Sequence, residues 1–315
     1  MTRTGQSGLS VSVVICAHLE ERLADTMAAV NSVQRQSLAP AEILVVVDHN
    51  PVLHRRLASA WPDLVVVENQ EARGLSGGKN TGIAMARGGI VAFLDDDAVA
   101  DAGWLKFLLD SYADPAVAGV GGLTLPSWAT RRPSWFPPEF DWVVGCSYAG
   151  LPTSRTPVRN LFGGNASFRR EIFDTVGGFR SGMGRSVSKR PLGCEETELC
   201  IRLRQQSPGS VLLFDNRAVI WHKVPAARSR FSYFLSRCYA EGLSKAIVTR
   251  TVGMRDGLSA ERSYSSKTLP AGVARGVAAA VRGDPAGLGR SAAIVAGLGA
   301  AGAGYCTGSL HRKGG

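Results

Sequence analysis

The sequence lacks several features that would assign it to other classes of protein. None of its six cysteines forms a CxxC pair, so it carries no zinc or redox motif of that type. The N-terminus has no basic segment followed by a long apolar core, so we expect no signal peptide and a cytoplasmic protein. No recognised nucleic-acid motif accompanies its positive charge, so nucleic acid is not an expected partner.

What the sequence does contain is typical of a globular enzyme with a basic end. Its 315 residues are 45% hydrophobic, which allows a full core in one large α/β domain plus an appendage, or in two domains. The net charge of +10 is unevenly placed, because from Arg217 onward fifteen Lys and Arg face four acidic residues. An anionic membrane surface or a phosphate-bearing substrate is therefore an expected partner.

Apolar runs alternate with helical patterns over the first hundred residues. The strand-type runs are 11–17, 42–47, 63–68 and 89–94, and the helical patterns are 23–33, 52–60 and 81–87. Such alternation predicts right-handed βαβ units. We therefore expect an α/β fold with a Rossmann-like, mostly parallel central sheet flanked by helices.

Carboxylates follow two of these runs. Asp95, Asp96 and Asp97 end the fourth run, and they repel one another unless a cation lies between them. A divalent metal at the carboxyl edge of the sheet is the functional interpretation, and a solvated acidic turn is the alternative. Asp48 ends the second run, where it either binds a ribose or base or closes an Asx turn.

Two further segments each allow two interpretations. The glycine-rich segment Arg73–Asn80 does not match GxxxxGK[ST], but it either brings Arg73 and Lys79 to a diphosphate or forms a flexible loop before a helix. Glu195 and Glu196 precede the apolar spacing of a helix. They either complement the helix dipole or supply a general base.

Taken in order, these motifs resemble those of family 2 glycosyltransferases, which have the GT-A fold. The similarity rests on Val-Ser-Val-Val-Ile-Cys-Ala, Val-Val-Val-Asp, Arg-Gly-Leu-x-x-x-Lys-Asn-x-Gly and Phe-Leu-Asp-Asp-Asp, and it covers roughly residues 11–250. It implies an inverting transfer from a UDP-sugar to a hydroxyl of a glycan or lipid-linked sugar, as in cell-envelope polysaccharide synthesis. Mn²⁺ or Mg²⁺ is the implied cofactor. No Gln-x-x-Arg-Trp motif follows, which disfavours the processive synthases.

The resemblance also implies roles for individual residues. Donor binding falls to Ala17, Glu20, Asp48, Arg73, Lys79, Asn80, Asp95 and Asp96. Asp97 and His222 are the implied metal ligands, and Gly164 and Asn165 are expected acceptor contacts. Trp142 is a further expected acceptor contact from the proline-interrupted aromatic stretch 126–148, whose rings either stack on a sugar or lipid or pack in the core. The implied general base is Glu196, where the family usually has Asp, and this departure keeps Glu195 as an alternative.

The expected domain organisation has three parts. Residues 1–10 form a loose N-terminus, 11–225 a GT-A catalytic domain and 226–315 a helical C-terminal extension. Within the catalytic domain, 11–100 is the nucleotide-binding half and 101–225 the acceptor half.

Three later segments carry further expectations. Residues 181–191 are expected to form a mobile lid. The basic, aromatic helix at 230–245 either lies on a membrane surface or packs across the domain. The Gly/Ala-rich segment 291–306 is interpreted as a packed helix hairpin or a shallow membrane contact. We therefore expect a cytoplasmic enzyme that is peripheral at the inner face of the plasma membrane.

Two other functions compete with this interpretation. A nucleotidyltransferase acting on a sugar phosphate has a similar sheet, but it needs a glycine-rich loop after the first strand, where this chain has His-Leu-Glu-Glu-Arg. A non-catalytic, membrane-associated nucleotide-sugar-binding protein would show no turnover.

Overall fold

The centre of the molecule is one nine-stranded mixed sheet. The computed structural model describes residues 9–181, 183 and 193–310. The strands are β1 (Val11–Ala17), β2 (Glu42–Val47), β3 (Val65–Glu68), β4 (Ile90–Asp95), β5 (Ala98–Ala100), β6 (Val117–Trp128), β7 (Thr156–Pro157), β8 (Asn165–Arg169) and β9 (Val211–Val224). Their order is β3-β2-β1-β4-β8-β6-β9-β5, with β7 paired to β9.

Eleven α-helices surround this sheet or follow it in the described chain. They are α1 (Leu23–Gln34), α2 (Pro51–Ala60), α3 (Leu75–Met85), α4 (Trp104–Asp110), α5 (Ile172–Val176), α6 (Glu195–Gln206), α7 (Phe231–Val252), α8 (Met254–Gly257), α9 (Ser259–Ser263), α10 (Leu269–Val281) and α11 (Ala286–Leu310). A π-helical turn, Tyr264–Thr268, joins α9 to α10, and 3₁₀ turns occupy Glu20–Arg22, Ser111–Ala113, Pro138–Val144 and Ala226–Ser229.

The first four long strands form the expected βαβ units. β1 pairs in parallel with β2 and β4, and β2 pairs in parallel with β3. Side chains alternate between the faces, so Val13 and Ile15 belong to one core cluster and Val14 to the other. β8 then runs antiparallel between β4 and β6, so the second half of the sheet is mixed.

The glycine-rich segment differs from its predicted conformation. It was expected to be a loop up to Asn80, but α3 already begins at Leu75, directly after Gly74 with φ of 124°. The other glycines of the segment allow close packing of this helix, since a Cβ on Gly77 would lie 1.9 Å from the Ala72 carbonyl oxygen. Because glycine is a poor helix former, the sequence pattern did not predict this helix, which tertiary packing stabilises.

The described residues beyond β9 are helical apart from short turns. The basic, aromatic helix expected at 230–245 is part of α7, and its Phe234 and Cys238 are fully buried. The packed alternative therefore holds for this face of α7. Phe136 and Phe140, from the proline-interrupted aromatic stretch 126–148, join the same core cluster and are buried, so core packing holds for these two rings. The proposed division of the chain into domains stays a prediction.

The helix α11 replaces the hairpin expected at 291–306. That segment is the interior of a single helix, which packs against both α7 and α10. By length and composition α11 would also allow a membrane crossing, a criterion that buried core helices meet as well, and 22% of its apolar window is buried. The lid expected at 181–191 lies almost entirely outside the described residues.

Asn165 holds three elements together at the start of β8. Its Oδ1 accepts a hydrogen bond from Trp104 Nε1 at 2.8 Å. Its Nδ2 donates to the carbonyl oxygens of Leu123 and Ala218 at 3.1 and 3.2 Å. The side chain is fully buried and both of its N–H donors are used, so the structure places it in the sheet interior rather than at an acceptor.

We expect Asn165→Ala to lower the free energy of unfolding by about 3 kcal/mol, because the indole N–H and two carbonyls lose their buried partner. Urea unfolding followed by circular dichroism measures the change. The matched control is Gln70→Ala, whose exposed amide donates only to the Glu68 carbonyl oxygen and should cost less than about 0.5 kcal/mol. Equal stability of the two variants would contradict the structural role.

Candidate active site

One cavity of about 780 Å³ opens at the carboxyl edge of β1, β2 and β4. It collects predicted residues from distant parts of the chain, because the ends of neighbouring parallel strands meet at one edge. The predicted residues that line it are Ala17, Asp48, Arg73, Lys79, Asp95, Asp96, Asp97, Trp142, Gly164, Glu195 and Glu196.

An aspartate cluster consists of Asp95, Asp96, Asp97 and His222. Its three aspartates line the cavity, and His222 is buried beside them on β9. Asp95 ends β4, and β5 then pairs with β9 so that Ala98 lies opposite His222. One ligand atom each of Asp95, Asp97 and His222 lies within 4.8 Å of the others. His222 Nε2 is 3.1 Å from Asp97 Oδ1.

Two arginines balance part of the negative charge in the aspartate cluster. Arg22 Nη1 lies 3.0 Å from both Asp96 Oδ1 and Asp97 Oδ2, and Arg228 Nη2 lies 3.6 Å from Asp97 Oδ2. Burial and the charge of Asp97 raise the pKa of Asp96 to about 7. Burial alone would raise the pKa of Asp97, but His222, Arg22 and Arg228 together hold it well below its usual value.

The donor set of the aspartate cluster fits Mn²⁺ or Mg²⁺. Asp95 and Asp97 offer carboxylate oxygens and His222 an imidazole nitrogen, and these ions accept hard oxygen ligands. Asp96 Oδ2 is buried and has no hydrogen-bond partner among the described residues, which marks an unmet demand for a cation.

A glutamate pair, Glu195 and Glu196, lines the cavity at the N-terminus of α6. Lys79 of α3 contacts this pair, with Nζ 3.0 Å from Glu195 Oε1. Both partners of this ion pair are buried, and Lys79 Nζ also lies 5.0 Å from the centre of the Phe179 ring. The ion pair therefore connects the first half of the sheet to α6.

The two members of the glutamate pair differ in protonation. Burial would raise the pKa of Glu195, but the charge of Lys79 and its hydrogen bond lower it below the usual value. Burial and the charge of Glu195 raise the pKa of Glu196 to about 8. At neutral pH Glu195 is therefore ionised and Glu196 is largely protonated.

A glycine turn before β8 separates the aspartate cluster from the glutamate pair. A Cβ on Gly164 would lie 2.1 Å from Asp95 Oδ2. A Cβ on Gly163 would lie 2.8 Å from Lys79 Nζ and 3.3 Å from an oxygen of each glutamate. The two acidic groups thus face the same short backbone segment from opposite sides.

Asp48 is hydrogen-bonded at the end of β2. Its Oδ2 accepts from the Gly74 N–H at 2.9 Å, and its Oδ1 accepts from Asn69 Nδ2 at 2.7 Å and lies 3.0 Å from His49 Nδ1. Burial raises its pKa, but the bonds from Asn69, His49 and Gly74 hold the pKa below the usual value. Asp48 therefore both fixes the start of α3 and presents a carboxylate to the cavity.

Two predicted donor contacts lie outside the lining of the cavity. Glu20 is exposed, with Oε2 3.8 Å from Arg56 Nη1. Asn80 donates to the Phe179 carbonyl oxygen and accepts from the Phe179 N–H, so it fixes the turn beneath Lys79.

Sequence reasoning missed several residues that line the cavity. Arg22 was missed, although its position just after β1 was a usable signal. The larger omission is a wall contributed by α7 and the segments that follow it. Its charged and aromatic members are Arg237, Glu241, Lys245, Glu261, Tyr264 and Tyr305. Arg159, from the β7–β8 connection, also lines this part of the cavity.

Comparison with known proteins gives a family and relatives. A model of the family described as Glycosyl transferase family 2 matches residues 12–177. A glucosyl-dolichyl phosphate glucuronosyltransferase of Haloferax volcanii is 35% identical over 244 residues, which are 76% of this chain and 77% of that protein.

Solved structures with a similar fold include two glycosyltransferases. A mannosyltransferase from Pyrobaculum calidifontis, in complex with GDP-Man and Mn²⁺, has a TM-score of 0.56 at 19% identity and covers 98% of this chain and 89% of its own. GalNAc-T7 with UDP, GalNAc and Mn²⁺ has a TM-score of 0.53 at 18% identity, covering 83% of this chain and 55% of its own.

We expect Lys79→Met to lower the free energy of unfolding by about 3–5 kcal/mol, because it leaves the Glu195 carboxylate buried without its cation. The double variant Lys79→Met/Glu195→Gln removes both charges and should recover most of that loss. Urea unfolding of the wild type, both single variants and the double variant gives the coupling energy. Additive effects of the two substitutions would show that Lys79 and Glu195 do not stabilise each other.

Proposed function

This chain belongs to glycosyl transferase family 2, and we propose that it moves one sugar from a UDP-sugar to a hydroxyl of a glycan or lipid-linked sugar, with inversion and with a divalent metal. The observation that carries the proposal is the aspartate cluster and the glutamate pair facing one glycine turn. A single in-line displacement needs a cation at the leaving group and a base at the incoming hydroxyl, and this arrangement supplies a group for each.

The predictions of fold and enzyme class are confirmed. The chain is a glycosyltransferase, and its α/β sheet is that of the GT-A fold. No specific observation favours the nucleotidyltransferase or the non-catalytic binding protein over this assignment.

The donor end would hold Mn²⁺ or Mg²⁺ on Asp95, Asp97 and His222. When bound, the ion neutralises the charge that develops on the diphosphate as the bond to the sugar breaks. The exposed Arg73 lines the cavity, so its guanidinium group is available to the diphosphate, and Arg22 holds the same carboxylates in place. Both structural neighbours are complexes that contain Mn²⁺ with a nucleotide or a nucleotide sugar, which supports this role.

Glu196 is the proposed general base. Glu195 forms an ion pair with Lys79, whereas Glu196 forms no ion pair among the described residues, and its raised pKa makes it the better proton acceptor. In the proposed step the acceptor oxygen forms a bond to the anomeric carbon, its proton passes to Glu196, and the diphosphate leaves. The ion pair with Lys79 keeps Glu195 ionised, and the charge of Glu195 maintains the raised pKa of Glu196.

The relative and the C-terminal helices support a proposal for the acceptor and the location. The Haloferax volcanii relative is named for a glucosyl-dolichyl phosphate, which is a lipid-linked sugar. We extend that acceptor class, and a peripheral position at the inner face of the plasma membrane, to this chain. The basic surplus after Arg217 and the apolar helix α11 support the membrane position.

We expect Glu196→Gln to lower kcat by about 10²–10⁴-fold, because the amide cannot accept the proton, while the affinity for the nucleotide sugar stays within about threefold. In the wild type, kcat/KM should rise with pH and level off above about pH 8, where Glu196 is deprotonated. Nucleotide release is measured from pH 6 to 9, with the exposed Glu171→Gln as the control. Full activity of Glu196→Gln would assign the base elsewhere.

We expect His222→Ala to weaken Mn²⁺ binding by at least about tenfold, since it removes one of three ligand groups. The electron paramagnetic resonance signal of free Mn²⁺ gives the affinity without any need for turnover. His54→Ala is the matched control, because that ring lies on α2 beside the Val66 carbonyl oxygen and away from the cluster. Unchanged Mn²⁺ affinity in His222→Ala would remove His222 from the metal site.

A further inference from the structure

Two stripes of contrasting chemistry line the cavity beyond the glutamate pair. On α7, Arg237, Glu241 and Lys245 are spaced i, i+4 and i+8 and share one face. On α11, the face that lines the cavity is formed by the apolar and small residues Leu298, Ala301, Gly302 and Tyr305. A charged wall and an apolar wall thus lie side by side in the same cavity.

The two ends of the cavity have opposite charge among their described lining residues. At the donor end four carboxylates face two cations, and at the far end three cations face two carboxylates. The donor-end groups are Asp48, Asp95, Asp96 and Asp97 against Arg22 and Arg73, and the far-end groups are Arg159, Arg237 and Lys245 against Glu241 and Glu261. The glutamate pair lies between them, with Glu195 paired to Lys79 and Glu196 largely protonated. The donor end therefore requires a cation, and the far end favours an anion.

The charged residues of the far end form a connected network. Arg159 binds Glu261 through both terminal nitrogens at 2.7 and 3.0 Å. Lys245 Nζ lies 2.7 Å from Glu261 and 3.5 Å from Glu241. Arg237 Nη2 lies 4.0 Å from Glu241. The carboxylates hold the three cations in place at the cavity wall while leaving a positive surplus.

This network is also joined to the start of α6. Cys194 Sγ donates to Glu241 Oε1 at 3.2 Å, and the Gly193 N–H donates to Ser244 Oγ at 3.1 Å. Cys194 directly precedes the glutamate pair and holds a positive φ of 71°. A ligand bound at the far end would therefore lie beside the segment that positions the proposed base.

The apolar wall formed by α11 leaves empty space beside Gly302. The helix α11 packs directly on the backbone of α7, since a Cβ on Gly242 would lie 2.0 Å from the Ala301 carbonyl oxygen. One residue further on, a Cβ on Gly302 would meet nothing within 4 Å. The cavity thus has room along the α11 face beside the charged stripe of α7.

We propose that the far end of the cavity binds the lipid phosphate of the acceptor, with the phosphate beside Arg237 and Lys245 and the hydrocarbon chain along the α11 face. An amphiphilic phosphate is the ligand that matches a cationic stripe adjoining an apolar one. A sugar carried on that phosphate then extends along the cavity toward Glu196. This assignment rests on the proposed glycosyltransfer and specifies its acceptor as a sugar linked to a lipid through phosphate.

The test measures binding to the full-length protein by isothermal titration calorimetry. The probes are farnesyl phosphate, farnesol and inorganic phosphate, which separate the contributions of the chain and the anion. The variants are Gly302→Leu, which fills the open space beside the charged stripe, and Arg237→Gln. The matched control is Gly299→Leu, because Gly299 lies on the same helix, also has nothing within 4 Å of its Cβ position, and does not line the cavity.

We expect farnesyl phosphate to bind at least tenfold more tightly than farnesol or phosphate alone. Gly302→Leu and Arg237→Gln should each weaken that binding at least tenfold, and Gly299→Leu should match the wild type. Equal binding of the three probes, or unchanged binding by Gly302→Leu, would overturn the assignment. UDP-sugar binding with Mn²⁺ is measured on the same samples. Failure of the proposed function would abolish donor binding and leave probe binding intact, so it can be told apart from failure of the lipid-phosphate assignment.

Discussion

The buried ion pair between Lys79 and Glu195 is the interaction on which the site depends. It joins α3, from the first half of the sheet, to α6, which the chain reaches more than a hundred residues later. Two opposite charges in a buried setting are stable only together, so each helix fixes the position of the other. The pair also keeps Glu195 ionised, and that charge raises the pKa of Glu196 beside it.

A second constraint is that the aspartate cluster and the glutamate pair lie close together but are neutralised by different cations. The turn through Gly163 and Gly164 passes between the glutamate pair and Asp95, and neither position has room for a Cβ without displacing a charged group. Lys79 serves the glutamates, whereas Arg22, Arg228 and His222 serve the aspartates. This separation of partners lets one cavity hold a low-pKa carboxylate in the aspartate cluster and a high-pKa carboxylate in the glutamate pair.

The C-terminal helices form part of the cavity wall. α7 supplies one wall and contacts the residues that precede the glutamate pair, and α11 closes onto α7 through glycines that allow backbone contact. These contacts tie the position of the glutamate pair to that of α7.

The sequence by itself determined the βαβ half of the sheet, the positions of Asp48 and Asp95–Asp97 at strand ends, and the helix that begins at the glutamate pair. These are local features, because strand and helix periodicity and terminal polar groups are written in neighbouring residues. Only the tertiary structure decided that Lys79 pairs with Glu195, that Asn165 is an interior cross-link, and that Glu20 and Asn80 turn away from the cavity. It also brought Arg237, Glu241 and Lys245 to the site. Such contacts join residues far apart in the chain, and which side chains meet is fixed by packing and by the charge each must satisfy once it is buried.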